Sequence, residues 1–211
     1  MATKEDKKEN IRNGIIASAH AYRNDLAGRV FLYVSESLCF EVEFRTGCFQ
    51  HLTGVCTKLK AEDFYKKAKS SMLTLQQFAF DANHPYDTAR KKLACLSNLS
   101  LLTNSLVCVV ENLNTYTLSY KLGVSNLDFT IGLTEDIGND GRKKTNHFLP
   151  RTLRIKDNSI EKSASAEFVD FIFSKEATQE KYDTLMYQSK AKCIPTVIFP
   201  MLSDNLIEQL T

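Results

Sequence analysis

The sequence predicts an α+β fold, a helical N-terminal part followed by a curved antiparallel β-sheet. Three observations carry this. Near the N-terminus Ile11, Ile15, Ala19 and Tyr22 recur at helical spacing. The second half holds short β-forming runs parted by turn signals, the strongest being Gly138-Asn139-Asp140-Gly141. The elements run helix, two strands, helices, a strand-rich block and closing helices, which is not the strand–helix alternation of a parallel sheet.

Each element has a local reason. Residues 9–25 form the first helix, with Gly28 just past its end as a stop. Residues 30–36 are rich in β formers. Residues 38–45 alternate, with Leu38, Phe40, Val42 and Phe44 on one face, so a hairpin turns at Glu36-Ser37. Residues 46–58 read as irregular and carry Gly47 and Gly54. Residues 60–71 and 74–81 read as helices, broken by Asn83-His84-Pro85-Tyr86 because proline disfavours helix in the residue before it. Residues 87–105 read as one long helix with a leucine face, Leu93, Leu96, Leu99 and Leu102. Strands follow at 107–112, 115–122 and 127–133, with short extended pieces at 146–149 and 152–156. Residues 165–173 and 179–190 read as helical. The expected organisation is an N-terminal helix over 1–26, a main domain over 27–192 and a tail over 193–211.

Composition excludes several classes. The chain has 211 residues, of which 43% are hydrophobic and 25% charged, enough apolar mass for a core and too much for a disordered chain. No apolar run approaches the ~20 residues of a membrane helix, so no membrane partner is expected. The net charge of +2 is too mild to imply nucleic acid by itself. The first ten residues are polar and lysine-rich and lack the apolar stretch of a secretory signal, which points to the cytoplasm. The six cysteines form no CxxC pair and are expected to be reduced. A zinc site from Cys48, His51 and Cys56 can be drawn, but tetrahedral sites use tighter ligand pairs. No metal and no cofactor are therefore expected. P-loop, GxGxxG, HExxH and GxSxG motifs are absent.

Four segments carry candidate chemistry. Residues 44–55, FRTGCFQHLTGV, join a strand to a helix. His51 suits proton exchange near neutral pH, and Thr53 points to the same side if the segment is extended. Against this stands an ordinary hydrogen-bonded structural histidine. Residues 142–156, RKKTNHFLPRTLRIK, hold Arg142, Lys143, Lys144, Arg151, Arg154 and Lys156 and no acid. Alternate members of that stripe face one side and suit phosphates, or else guard a solvated edge strand. Tyr187 and Lys190, three apart, share a face if helical, as they equally do on any amphipathic helix end. Arg90-Lys91-Lys92 opens a helix, where positive charge opposes the helix dipole unless an anion or a carboxylate compensates.

Taken in order, these residues resemble a known family. Phe49-Gln50-His51-Leu52-Thr53-Gly54 is similar to the F-x-H-L-T-G signature of the phage-associated nuclease-like domains grouped with barnase, EndoU, colicin E5/D and RelE, and most resembles the fourth subgroup, PBECR4. Phe64-Tyr65, Lys92-Leu93, Pro150-Arg151-Thr152-Leu153 and the closing Tyr187-x-x-Lys190 extend the likeness over residues 27–192. The resemblance implies a metal-independent ribonuclease fold among predicted toxins or effectors of phages and mobile elements. RNA, tRNA included, would be the substrate, and an antitoxin a conceivable protein partner. Carried over by position, it implies active-site roles for His51 and Thr53, with Thr152, Tyr187 and Lys190 as further candidates. The chemistry of metal-independent RNA cleavage would cast His51 as general base or acid, and Lys190 with Arg151 or Arg154 as stabilisers of the phosphate. Tyr187 would be the second proton-transfer group or a base-stacking platform. Thr53 and Thr152 would donate to phosphate oxygens, with Lys143 and Lys144 as further substrate contacts. The alternative is a non-catalytic inhibitor or interaction protein that uses the basic face to bind nucleic acid or an acidic partner.

Overall fold

The computed structural model describes residues 3–114, 119–155, 165–190 and 192–210. Lys156 and the expected strand start at Thr115 lie outside the described residues. Helix α1 (Lys4–Asp25) begins on a capping box in which Asp6 N donates to Thr3 Oγ1 at 3.1 Å and Thr3 N to Asp6 Oδ2 at 2.8 Å. Its stripe Ile11, Ile15, Ala19 and Tyr22 is buried. Strands β1 (Arg29–Ser35) and β2 (Cys39–Glu43) form the expected hairpin, Val30 facing Glu43. The short helices α2 (Cys48–Thr53), α3 (Ala61–Lys69), α4 (Tyr86–Leu96) and α5 (Leu101–Asn104) come next. Then follow β3 (Cys108–Asn114), β4 (Ser119–Ser125), β5 (Phe129–Ile137), β6 (Lys143–Ile155), β7 (Ser165–Glu176), β8 (Thr184–Gln188) and α6 (Asp204–Leu210).

The described strands form one eight-stranded sheet in the order β1-β2-β6-β5-β4-β3-β7-β8. Strand β7 pairs with β3 through its first residues and with β1 and β8 further on, so the pairings close into a ring. The seam between β2 and β6 is parallel and the other pairings are antiparallel. The expected α+β fold with a curved, mostly antiparallel sheet is what the chain adopts.

β1 is buried on both faces. Phe31 and Tyr33 join the large core with helices α1 to α5, whereas Val30, Leu32 and Val34 join a second core built with Phe171, Phe173, Tyr182, Ile198, Leu202 and Leu206. The first helix and the tail, set apart by the sequence reading, thus pack on the same sheet. The tail is anchored by Tyr182, whose hydroxyl donates to Glu41 Oε1 at 2.5 Å and whose ring lies 4.6 Å from the Lys175 ammonium.

Several expected elements differ. Residues 46–58 contain helix α2. The long helix over 87–105 is two helices, because Ser97, Asn98 and Ser100 lie between them in tight turns, Asn98 N to Cys95 O at 2.9 Å and Leu101 N to Asn98 O at 3.0 Å. Residues 165–173 are a strand, not a helix. Val169 and Ile172 enter one core and Phe171 and Phe173 the other, so the run is apolar on both sides and hides the alternation. Residues 184–188 are also a strand, recruited by pairing with β7. The two short pieces around Pro150 are one strand. Gly132 faces Thr152 while Leu133 faces Pro150, so Arg151 is an extra residue in a β-bulge, which tolerates the proline.

Candidate active site

Helix α2 explains the motif around His51 residue by residue. Phe49 is fully buried, its ring 5.4 Å from Tyr22 and 5.5 Å from Tyr65. Leu52 and Thr53 are also fully buried. Gln50 and His51 take the opposite side and line a cleft of about 540 Å³. Arg45 fixes the approach to the helix. Its guanidinium donates to Glu43 at 2.6 Å and Asp136 at 2.8 Å, and its carbonyl accepts from the Tyr22 hydroxyl at 2.9 Å.

Gly54 ends α2 in the left-handed region, φ 75°. A Cβ there would lie 2.8 Å from Lys92 Cδ and 3.4 Å from Ala89 Cα. Glycine therefore serves both the turn and the close approach of α4, and that approach brings Lys92 to the cleft.

Thr53 does not accompany His51. In a helix, residues two apart point to opposite sides, and the expectation of a shared side required an extended segment. The Thr53 hydroxyl is turned inward and donates to Gln50 O at 2.7 Å.

The opposite wall comes from β6. The bulge lets Arg151, Thr152 and Arg154 all line the cleft. The Arg151 Nη1 and His51 Nε2 are 2.6 Å apart. Guanidinium is donor only, so Nε2 is the acceptor and the neutral imidazole carries its proton on Nδ1. Burial first, and the Arg151 charge second, push the His51 pKa down to about 4. Lys92 is pushed down to about 8, by burial first and by the Arg154 charge second. Among the described residues lining the cleft there is no carboxylate, while His51, His84, Lys92, Arg151 and Arg154 are all present. Tyr120 and Thr152 meet over Gly132, whose missing side chain makes the room: a Cβ there would lie 2.8 Å from Thr152 Cγ2 and 2.9 Å from the Tyr120 ring.

A family model described as phage-Barnase-EndoU-ColicinE5/D-RelE like nuclease4, PBECR4, matches residues 14–191. The chain belongs to this family. Comparison with curated proteins and with solved structures gives no match. The PBECR4 match begins within α1 and spans the whole ring of strands, leaving the C-terminal helical segment outside. A nuclease-like family implies a nucleic acid substrate. Among the described residues, no helix is long and apolar enough to cross a membrane.

The other expected residues lie elsewhere. Tyr187 is on β8 opposite Ile172, half-buried against the large core, and Lys190 is exposed in the turn beyond it. Neither lines the cleft, because the segment is a strand and turn rather than a helix with a common face. Lys143 and Lys144 are exposed at the far end of β6, and Lys143 Nζ lies 3.4 Å from Glu135. The stripe is met by acids from neighbouring strands: His147 Nδ1 is 3.0 Å from Glu43, and Glu135, which pairs with Lys143, also pairs with Lys121 of β4 at 2.9 Å. At the start of α4, Arg90 Nε is 3.7 Å from Asp87. Lys92 is the residue that the site reading passed over. The sequence marked it only as positive charge at an expected helix start; in α4 it lies beyond the first turn, where the dipole effect has fallen off, and its partial burial marks it instead.

Proposed function

We propose that this protein is a metal-independent ribonuclease that binds the reacting phosphate in the cleft between α2, α4 and β6. One observation carries the reading: a neutral histidine whose lone pair is held by Arg151 stands beside Lys92 and Arg154 in a cleft whose described lining has no carboxylate. Such a lining suits a phosphate and offers a hard divalent cation no carboxylate ligand.

The chemistry follows from these groups. His51 Nε2 takes the proton of the 2′-hydroxyl as that oxygen attacks phosphorus. The bond to the 5′ oxygen breaks, leaving a 2′,3′-cyclic phosphate, and Lys92 supplies the proton to the leaving oxygen. Its pKa of about 8 suits a donor near neutral pH. Arg151 and Arg154 face the charge that grows on the phosphorane oxygens, and the Thr152 hydroxyl donates to one of them. Arg151 has a second role. Before substrate arrives it occupies the His51 lone pair; drawn to the phosphate, it frees Nε2, and the anion offsets the positive field that depresses the imidazole. In this scheme Lys92 takes the proton-transfer place expected for Tyr187, Lys190 has no part, and Thr53 holds the helix that presents His51.

The test is cleavage of tRNA and total RNA by the purified chain in EDTA. The expected result is fragments ending in cyclic phosphate, with His51→Ala slower by about 10²–10⁴-fold. Cleavage untouched by His51→Ala would overturn the scheme. Failure of the wild-type chain on these substrates would favour a protein that binds nucleic acid or a protein partner without cutting.

A further inference from the structure

We propose that Cys56, Asp81 and His84 form a binding site for one divalent cation of borderline softness, best matched by Zn²⁺. This does not rest on the nuclease reading. The trio is distinct from the cysteine–histidine set drawn from the sequence, since neither Cys48 nor His51 belongs to it.

The geometry is assembled by backbone. Cys56 and Ala79 form an isolated antiparallel bridge, Cys56 N to Ala79 O at 3.0 Å and Ala79 N to Cys56 O at 2.8 Å. That bridge sets Cys56 beside the chain two residues before Asp81. Asp81 and His84 then close on each other, each amide N 3.2 Å from the other's carbonyl oxygen. As a result one ligand atom from each of the three residues lies within 4.8 Å of the other two. His84 Nδ1 is 3.0 Å from Asp81 Oδ1. Two segments separated in sequence are thus brought to ligand spacing before any cation arrives, so binding orders little further chain.

The donors select the ion. A thiolate and an imidazole favour zinc over magnesium or calcium, and a carboxylate completes a set zinc accepts. The charges balance: one thiolate and one carboxylate offset a divalent ion. Binding displaces the thiol proton to solvent as the sulfur–metal bond forms. Asp81 is already oriented, because its Oδ1 accepts from the amides of Asn83 at 2.9 Å and His84 at 2.7 Å. These bonds act as the outer-sphere support that holds a ligating carboxylate in place. Three protein ligands leave a fourth position for water.

The location gives the site a consequence. Asn83 and His84 also line the cleft that holds His51. A cation at Cys56, Asp81 and His84 would clamp residues 81–84, and with them that wall of the cleft. Its effect falls on the order of the wall, since the cluster of Lys92, Arg151 and Arg154 that faces the phosphate contains none of its ligands.

The test uses the full-length, freshly reduced chain titrated with Co²⁺ as a spectroscopic probe for zinc. One equivalent is expected to give a thiolate-to-cobalt charge-transfer band with visible bands of low-coordinate cobalt, both abolished by Zn²⁺. Cys56→Ser should remove the charge-transfer band, while Cys39→Ser, a change at an exposed thiol on β2, should keep it. Asp81→Asn retains an oxygen for the Asn83 and His84 amides and so preserves the turn. It should weaken binding by at least the ~10–100-fold that losing an outer-sphere partner costs. Zn²⁺ should raise the melting temperature of the wild-type chain more than that of Asp81→Asn. A wild-type chain without the charge-transfer band overturns the proposal. So does a band that survives Cys56→Ser, or affinity unchanged in Asp81→Asn.

Discussion

Replacing Arg151 with Gln should raise the pKa of His51 yet leave it below its ordinary 6.5. Two causes hold the imidazole at about 4: burial, the larger, and the guanidinium whose Nη1 lies 2.6 Å from Nε2. The substitution removes the second and keeps the first. The full drop from 6.5 to about 4 corresponds to about 3 kcal/mol at ~1.36 kcal/mol per unit. His51 is only half-buried, and solvent screening brings the free energy felt by the fold to about 1–2 kcal/mol. The sign is fixed by linkage. Above 6.5 the imidazole is neutral in both folded and unfolded chains and contributes no slope. As the pH falls below 6.5 the unfolded chain binds a proton that the folded chain refuses, so stability falls until the folded group titrates at about 4. Nitrogen-detected NMR of the imidazole through the acid range measures the pKa, and urea titrations over the same range measure the slope. Arg151→Gln should shift the former up and flatten the latter. Inorganic phosphate should raise the wild-type pKa and do much less in the variant. A wild-type His51 titrating at its ordinary value, or one indifferent to the loss of Arg151, would refute the assignment of a guanidinium-held base.

Three further outcomes test the scaffold of the site. Gly54→Ala should destabilise by about 1–2 kcal/mol, the cost of a left-handed non-glycine residue, and should also weaken phosphate binding, because the new Cβ, 2.8 Å from Lys92 Cδ, displaces that side chain. Thermal melts and phosphate titrations read the two effects, and a variant as stable as wild type would contradict the turn. Thr53→Val should cost about 1 kcal/mol, the value of its buried hydrogen bond to Gln50 O, with RNA cleavage changed only a few-fold. A loss of cleavage by orders of magnitude with stability intact would place that hydroxyl in the chemistry instead. Tyr182→Phe removes the hydroxyl donated to Glu41 and should cost about 1.5–3 kcal/mol in urea denaturation, the range for a hydrogen bond to a charged group. No measurable loss would mean that the hydroxyl adds nothing to the backbone bonds, Tyr182 N to Met201 O and Ser203 N to Tyr182 O, and the apolar contacts that hold the C-terminal segment.

Local pattern was a reliable guide where one face of an element is buried and the other is wet. The stripe of α1 and the alternation of β2 both show this, with Phe40 and Val42 inside and Cys39 outside. It failed where an element is covered on both sides. In β7 the apolar residues of successive positions enter two different cores, so no periodicity distinguishes a strand from a buried helix. It failed again at β8, whose strand state comes from pairing with β7 rather than from its own side chains.

By itself the sequence determined the α+β class, the N-terminal helix and first hairpin, the family likeness carried by the motif at residues 49–54, and His51, Arg151, Thr152 and Arg154 as residues of interest. These follow from periodicity, turn chemistry and residue type, which are local properties of a chain. Which of the marked residues meet was decided only by tertiary structure. The helical state of residues 48–53 turned Thr53 away from His51, and the bulge at Arg151 aimed a guanidinium at the imidazole. The left-handed Gly54 let α4 bring in Lys92. Tyr187 and Lys190 went to a strand and turn off the cleft. Convergence of side chains from α2, α4 and β6 depends on packing and strand register between segments distant in sequence, and no local pattern records that.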